Sequence, residues 1–253
     1  MILWIKRIVV GSLLLILSWI AYELASFPDL AKLRTENPTT TSMIELRLAE
    51  ADSKGRKPSK RMEWQPIGRI SRNLQRAVIA GEDSRFFQHN GFDWEAIQEA
   101  WDEAVKEGEK QAREEQGADS SSWAPFLPSF KRGASTITQQ LVKNLYLSEE
   151  RSFFRKGKEA AITFFIEREL SKKRILEIYL NVIEWGDGIY GAEAASRHYF
   201  NKSAARLTAS EAAYLAAMIP SPLNTFNPKK NPRRVARRQQ ILLRRMNQVR
   251  LDY

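Results

Sequence analysis

The sequence predicts a mainly α-helical protein that begins with one membrane-spanning helix. Three observations carry this. Ile70, Leu74, Ala77 and Val78 recur at helical spacing. Capping residues mark several helix starts, while strand-like alternation is nearly absent. Near the N-terminus, Ile8 to Tyr22 is a stretch of fifteen residues without a charge, placed just after Lys6 and Arg7.

Taken in order, residues 1–27 read as a cytoplasmic N-terminus and transmembrane anchor. The apolar stretch is short for a hydrocarbon core of about 30 Å, but Ile2 to Ile5 and the snorkelling of Lys6 and Arg7 lengthen it. Tyr22-Glu23-Leu24-Ala25 lacks the small-x-small pattern that a signal peptidase needs, so the segment reads as uncleaved. Basic Lys6 and Arg7 before it, and acidic Glu23 and Asp29 after it, place the remainder outside the cytoplasm. Residues 28–66 are polar, with Pro38, a Thr run and a Lys/Arg/Gly/Pro patch, and read as a stalk with one short helix near Met43 to Ala51. The compact domain is expected over 67–253. Ser71 caps its first helix, Asp93 caps Trp94 to Val105, and Thr208-Ala-Ser-Glu211 is a capping box before Ala212 to Ile219. Residues 106–132 break the rhythm and read as a loop carrying Trp123, Phe126 and Phe130, suited equally to local packing or to contact with lipid. A basic helix at about 231–250 bears six arginines between Arg233 and Arg245 over an apolar face, and reads as a solvated cap on the domain.

With 253 residues and 43% hydrophobic content, one core or one core with two lobes is affordable, and a second large catalytic domain is not. No cysteine is present, which excludes thiolate nucleophiles, disulfides and cysteine-ligated zinc. The net charge of +10 favours an anionic partner, whether nucleic acid, lipid surface or phosphate-bearing substrate.

Three clusters can carry chemistry. Glu82 follows a helix rich in Ala and Val, where burial would raise its pKa towards that of a useful general base. Asp83 points about 100° away on a helix, so Glu82 is assigned to a groove and Asp83 to holding the loop. His89 reads as a hydrogen-bonded structural residue, since only His198 could join it at a metal. In the second cluster, Gly133 opens a helix whose first turn offers Ser135, Thr136 and free amides to anionic oxygens. Ser135, Gln139 and Lys143 lie four apart on one face. The same pattern also describes an ordinary, well-capped amphipathic helix. The third cluster places Arg151, Arg155, Lys156 and Lys158 around Glu159, supplying positive charge to a pyrophosphate leaving group. A salt-bridged surface turn has that composition too.

Together these segments resemble, in order, the five motifs of glycosyltransferase family 51, in its monofunctional peptidoglycan transglycosylase branch. The matching residues are Glu82-Asp83 with Phe86 or Phe87, His89 and Gly91; GASTITQQLVKN from Gly133 to Asn144; Arg155-Lys-Gly-Lys-Glu159; Lys172 to Asn181; and Gly188-Ile-Tyr-Gly191 leading to Phe200. The resemblance implies a lysozyme-like helical lobe beside a smaller, mobile, membrane-proximal lobe. It implies lipid II as substrate, joined to a growing glycan strand. Glu82 becomes the general base on the acceptor sugar 4-hydroxyl. Glu159 becomes the donor-side acid that helps stabilise the pyrophosphate, directly or through a divalent cation (Mg or Mn), with Lys143, Arg151, Arg155 and Lys156. Ser135, Gln139 and Gln140 bind substrate, while Lys172, Glu177, Tyr179, Asn181, Tyr190 and Gly191 hold the groove together. Residues 102–132 are longer than the family pattern. The implied setting is the bacterial inner membrane, crossed once, with a periplasmic catalytic domain. Membrane lipids and cell-division or elongation proteins are the implied partners, and nucleic acid is not.

Two other readings fit parts of the chain. A lytic enzyme shares the fold and a catalytic Glu, but has no use for the cations around Glu159. A membrane-tethered basic scaffold uses the C-terminal arginines, but leaves the Glu82 and Glu159 clusters without a purpose.

Overall fold

The computed structural model describes residues 2–116, 135–147 and 152–253. The protein is mainly helical, as expected. The first helix, α1, spans Ile2–Ala25 and exposes Trp4, Val10, Leu13, Leu14, Leu15 and Leu17. Among the described residues no helix is long and apolar enough to cross a membrane, and the side chains of Ile8, Val9, Ile16, Trp19, Ile20 and Leu24 fall outside those described.

Residues 28–66, expected as a stalk, are part of the compact unit, because their apolar side chains are covered. Leu30 and Leu33 are buried in the main core, on a 3-10 turn against the sixth helix. Helix α2 (Ser42–Ser53) is capped by Thr41 and packs on the fifth helix with Met43 and Ile44 buried. Strand β1 (Arg61–Met62) runs parallel to β3 (Ile189–Tyr190), which pairs antiparallel with β2 (Glu184–Gly186). The strands are too short for alternation to reveal them in the sequence.

Helix α3 (Arg72–Glu82) starts at its Ser71 cap and buries Leu74, Ala77, Val78 and Ile79. Helix α4 (Trp94–Gln116) starts where Asp93 accepts from the Ala96 amide at 2.9 Å. It runs eleven residues past Val105, so residues 106–116 are helix and not loop: their Glu, Lys, Gln, Ala and Arg are strong helix formers. The expected aromatic loop at 123–130 lies outside the described residues. Next come α5 (Ile137–Tyr146), α6 (Phe153–Glu169), α7 (Lys172–Val182) and α8 (Ala192–Phe200). Helix α9 (Ala209–Met218) has the capping box between Thr208 and Glu211, and α10 (Pro232–Arg245) is the basic helix, ending near residue 245 in a 3-10 turn.

Helices α3, α9 and α10 pack on one another, as α5 does on α6 and α7. Trp185, Tyr179, Tyr190 and Phe86 are the largest fully buried side chains. Burial of an apolar side chain such as Phe86 contributes about 1.5–3 kcal/mol.

Of the residues expected to be structural, Asn181, Glu177, Lys172 and Gly191 make close contacts between separate segments of the chain. Asn181 donates to the Gln65 and Glu177 carbonyls at 2.8 Å each and accepts from the Gln65 amide at 2.7 Å. Glu177 accepts from the Ile67 amide at 2.7 Å and pairs with Arg174. Lys172 pairs with Glu167 at 2.9 Å and lies 4.5 Å from the Phe86 ring centroid. Gly191 has φ +82, and a Cβ there would lie 2.5 Å from the Asn181 carbonyl oxygen. Replacing Gly191 with Ala should therefore cost about 2 kcal/mol or more, from the backbone conformation and the clash together. Thermal unfolding of the variant reads this directly, and an unchanged midpoint would contradict the packing described.

Candidate active site

Glu82 ends α3, whose apolar face carries it into a groove of about 1250 Å³. Gly81, Ser135, Gln140, Lys143, Tyr179 and Arg238 line the same groove. The Glu82 side chain is only 7% exposed. One carboxylate oxygen accepts from Gln140 Nε2 at 3.0 Å and the other from Arg238 Nη2 at 2.9 Å. Tyr179, fully buried, donates its hydroxyl to Gln140 Oε1 at 2.8 Å. That bond leaves the amide nitrogen of Gln140 to face Glu82, which fixes the orientation of the amide. Burial pushes the Glu82 carboxyl above its ordinary value, with Arg238 and Gln140 pulling against the shift. Burial, with Glu82 and Asp83 nearby, pushes Tyr179 well up, so its hydroxyl stays protonated and keeps donating.

Asp83 points away from the groove and holds the adjacent elements. Its oxygens meet the Ile137 amide at 3.0 Å and His89 Nε2 at 2.9 Å. His89 Nδ1 in turn accepts from the Gly91 amide at 3.2 Å, which assigns the ring proton to Nε2. Gly91, at φ +90, passes so close to α6 that a Cβ would lie 2.8 Å from Thr163 Cγ2. The nearby ligand atoms of Asp83, His89 and Asp93 invite comparison with a metal centre. Their commitments argue otherwise, since Asp93 is bound to Arg85 at 2.9 Å and to the Ala96 amide.

Ser135, Gln140 and Lys143 lie in the groove, as their assignment to substrate requires, whereas Gln139 does not. Its side chain is buried and accepts from the Thr136 amide at 3.0 Å, completing a capping box at the start of α5. The open helix terminus expected here is closed as well: Asp83 takes the Ile137 amide, and Thr136 Oγ1 takes the Gln139 amide at 3.2 Å. Gly133 lies outside the described residues.

Glu159 is buried on α6 and pairs with Arg155 at 3.2 Å and with Lys156. None of these three residues lines the groove that holds Glu82, and Arg151 lies outside the described residues. Both Glu159 oxygens face cations, so this carboxylate fits the positioning of Arg155 and Lys156 and does not fit a divalent metal.

The residue that sequence reasoning passes over is Arg238. Its signal is its place on the face of α10 that also presents Val235 and Leu242, both buried.

A mainly helical domain that sets a buried glutamate in a cation-bearing groove has the arrangement that an enzyme using general acid–base catalysis needs. The transglycosylase family matches residues 50–122 and 116–247, and the chain belongs to that family. It is 42% identical to the biosynthetic peptidoglycan transglycosylase of Laribacter hongkongensis, over 97% of this chain and 98% of that protein. It is 45% identical to the protein of the same name from Thiobacillus denitrificans, over 97% and 96% of the two chains. A third, from Janthinobacterium sp., is 45% identical over 85% and 84%.

In glutamate-labelled protein, the carboxyl resonance that disappears in Glu82→Gln should titrate above the ordinary value of 4.5. A resonance titrating at or below that value would show that burial does not dominate the environment of this carboxyl.

Proposed function

We propose that this chain polymerises lipid II into the glycan strands of the bacterial cell wall, and that Glu82 is its general base. The observation that carries the assignment is the Glu82 carboxylate itself: buried, held by Gln140 and Arg238, and facing a groove that also presents Lys143. Glu82 takes the proton from the acceptor sugar 4-hydroxyl as that oxygen bonds to the donor anomeric carbon. The bond from that carbon to pyrophosphate breaks in the same displacement, and undecaprenyl pyrophosphate departs. An α-linked donor becomes a β-linked strand, so one inversion suffices and no covalent intermediate is needed. Ser135 and Gln140 contact the substrate, and Lys143 meets the developing charge on the leaving group. Arg155 and Lys156, held by Glu159, supply further charge on the donor side with Arg151. This use of fixed cations favours transfer from a pyrophosphate over cleavage of a sugar polymer.

The activity is glycan transfer alone, without transpeptidation, in keeping with the near full-length likeness to proteins that carry only the transglycosylase name. We read α1 as a single-pass anchor in the inner membrane with the catalytic domain in the periplasm. The uncharged Ile8 to Tyr22, the exposed leucines of α1 and the charges on either side support this placement. Phe154, Phe164 and Phe165 on α6 are also exposed and suit a lobe that lies against lipid. Partners among cell-division or elongation proteins follow from the same role.

Glu82→Gln should lower polymer formation from labelled lipid II by about a hundredfold or more, with folding and lipid II binding retained. Products are separated by size before and after muramidase digestion, and substantial residual chain growth would remove Glu82 from the base role. Deletion of α1 should reduce membrane partition and product length more than the rate of single transfers. A deletion variant with unchanged partition and product length would refute the anchor.

A further inference from the structure

Arg238 touches the proposed base more closely than a surface cation would. Its Nη2 donates to the Gly81 carbonyl at 3.0 Å and to Glu82 Oε1 at 2.9 Å. Bridging a main-chain carbonyl and the next residue's carboxylate registers the guanidinium against the end of α3 as well as against a rotatable side chain. The approach is tight: a Cβ on Gly81 would lie 3.1 Å from Leu242 Cδ2 and 3.5 Å from Arg238 Nη2. Phe226 lies against the guanidinium, with its ring centroid 5.4 Å from Cζ. The second Glu82 oxygen is held by Gln140, so donors on both sides limit rotation of the carboxylate.

We propose that Arg238 is a positioning residue for the transfer reaction, holding the Glu82 carboxylate in one orientation and in its charged form so that it can receive the acceptor's proton. The proposal rests on the reading of Glu82 as base. A lysine at 238 could supply charge, but not the same planar set of donors. The other groups around Glu82 do not replace Arg238. Asp83, next in the chain, opposes ionisation of Glu82. Tyr179 of α7 is neutral and bonded to Gln140, and the fully buried residues of α9 are Ala, Leu and Met, with half-buried Tyr214 pushed up by burial and so uncharged. Lys143 of α5 and Arg245 of α10 line the groove, but Arg238 is the cation paired with Glu82 among the described residues.

Glu82 acts ionised, so activity falls as pH drops through its raised pKa. Arg238 lowers that value, and its removal must move the acidic limb of kcat/KM to higher pH.

The test is the pH dependence of lipid II polymerisation by the full-length protein, for wild type, Arg238→Gln, Arg238→Lys, Glu82→Gln and the double variant, with Arg237→Gln as an exposed control on the same helix. In Arg238→Gln, kcat should fall about tenfold or more, KM should stay within about threefold, and the acidic limb should rise by about one pH unit. Arg238→Lys should recover part of the limb position. The double variant should be no slower than Glu82→Gln, because Arg238 acts through Glu82. A folded Arg238→Gln enzyme with the wild-type limb, or with only KM altered, would overturn the proposal. If Arg238→Gln does not fold, Arg238→Lys carries the same test: a smaller rise of the limb supports the proposal and an unmoved limb overturns it. Failure of the underlying reading looks different, since Glu82→Gln would then itself polymerise lipid II.

Discussion

Burying a carboxylate costs several kcal/mol unless donors replace the water it leaves, and α3 ends on two of them in succession. Glu82 is satisfied by side chains from α5 and α10, while Asp83 is satisfied by the first amide of α5 and by the ring of His89. The two demands are linked by helix geometry. Once Asp83 fixes Ile137 at the start of α5, Gln140 lies one turn on and reaches Glu82. Satisfying Asp83 thereby positions one of the donors that hold Glu82.

The helix that carries Tyr179 is fastened by its own contacts to neighbouring backbone. Asn181 of α7 fastens Gln65, and Gly191 passes so close to Asn181 that no side chain fits there. The chain on either side of the short sheet is thus tied to the helix that carries Tyr179, whose hydroxyl orients Gln140. A polar relay of three residues, Tyr179 to Gln140 to Glu82, therefore inherits its geometry from the core.

Local signals are legible wherever neighbours in sequence are neighbours in space. Ser71, Asp93 and Thr208 each cap the helix their spacing announces. Glu82 and Asp83 do face different ways, but because α3 ends between them: Asp83 is the extended C-cap residue (φ −165, ψ 76), so the helical angle expected from the sequence does not apply to it. Gln139 is misleading although Thr136-Ile-Thr-Gln139 is itself a capping pattern, because two adjacent glutamines on an amphipathic helix look equally available. Residues 28–66 look like a stalk since their few apolar residues, Leu30, Leu33, Met43 and Ile44, are scattered through polar sequence; only the surfaces that cover them reveal their role. Arg238 is hidden among six arginines, and its partner lies 156 positions away. Counting charges cannot separate it from the rest, but its spacing from Val235 and Leu242 distinguishes the inward face.

Two side-chain contacts join the end of α1 and the residues just after it to α6. Glu23 pairs with Lys158 at 2.9 Å, and Phe27 meets Phe165 edge-on with centroids 5.5 Å apart. An ion pair of this kind is worth about 1 kcal/mol or less, and an aromatic pair about as much. Each of these contacts contributes little, and together they set a preferred angle for α1. Both contacts fall on α6, the helix that also holds Glu159 with Arg155 and Lys156. The contacts that orient α1 and the ion pairs of Glu159 therefore share one helix, so the orientation of α1 and that of the charge cluster are set through the same element.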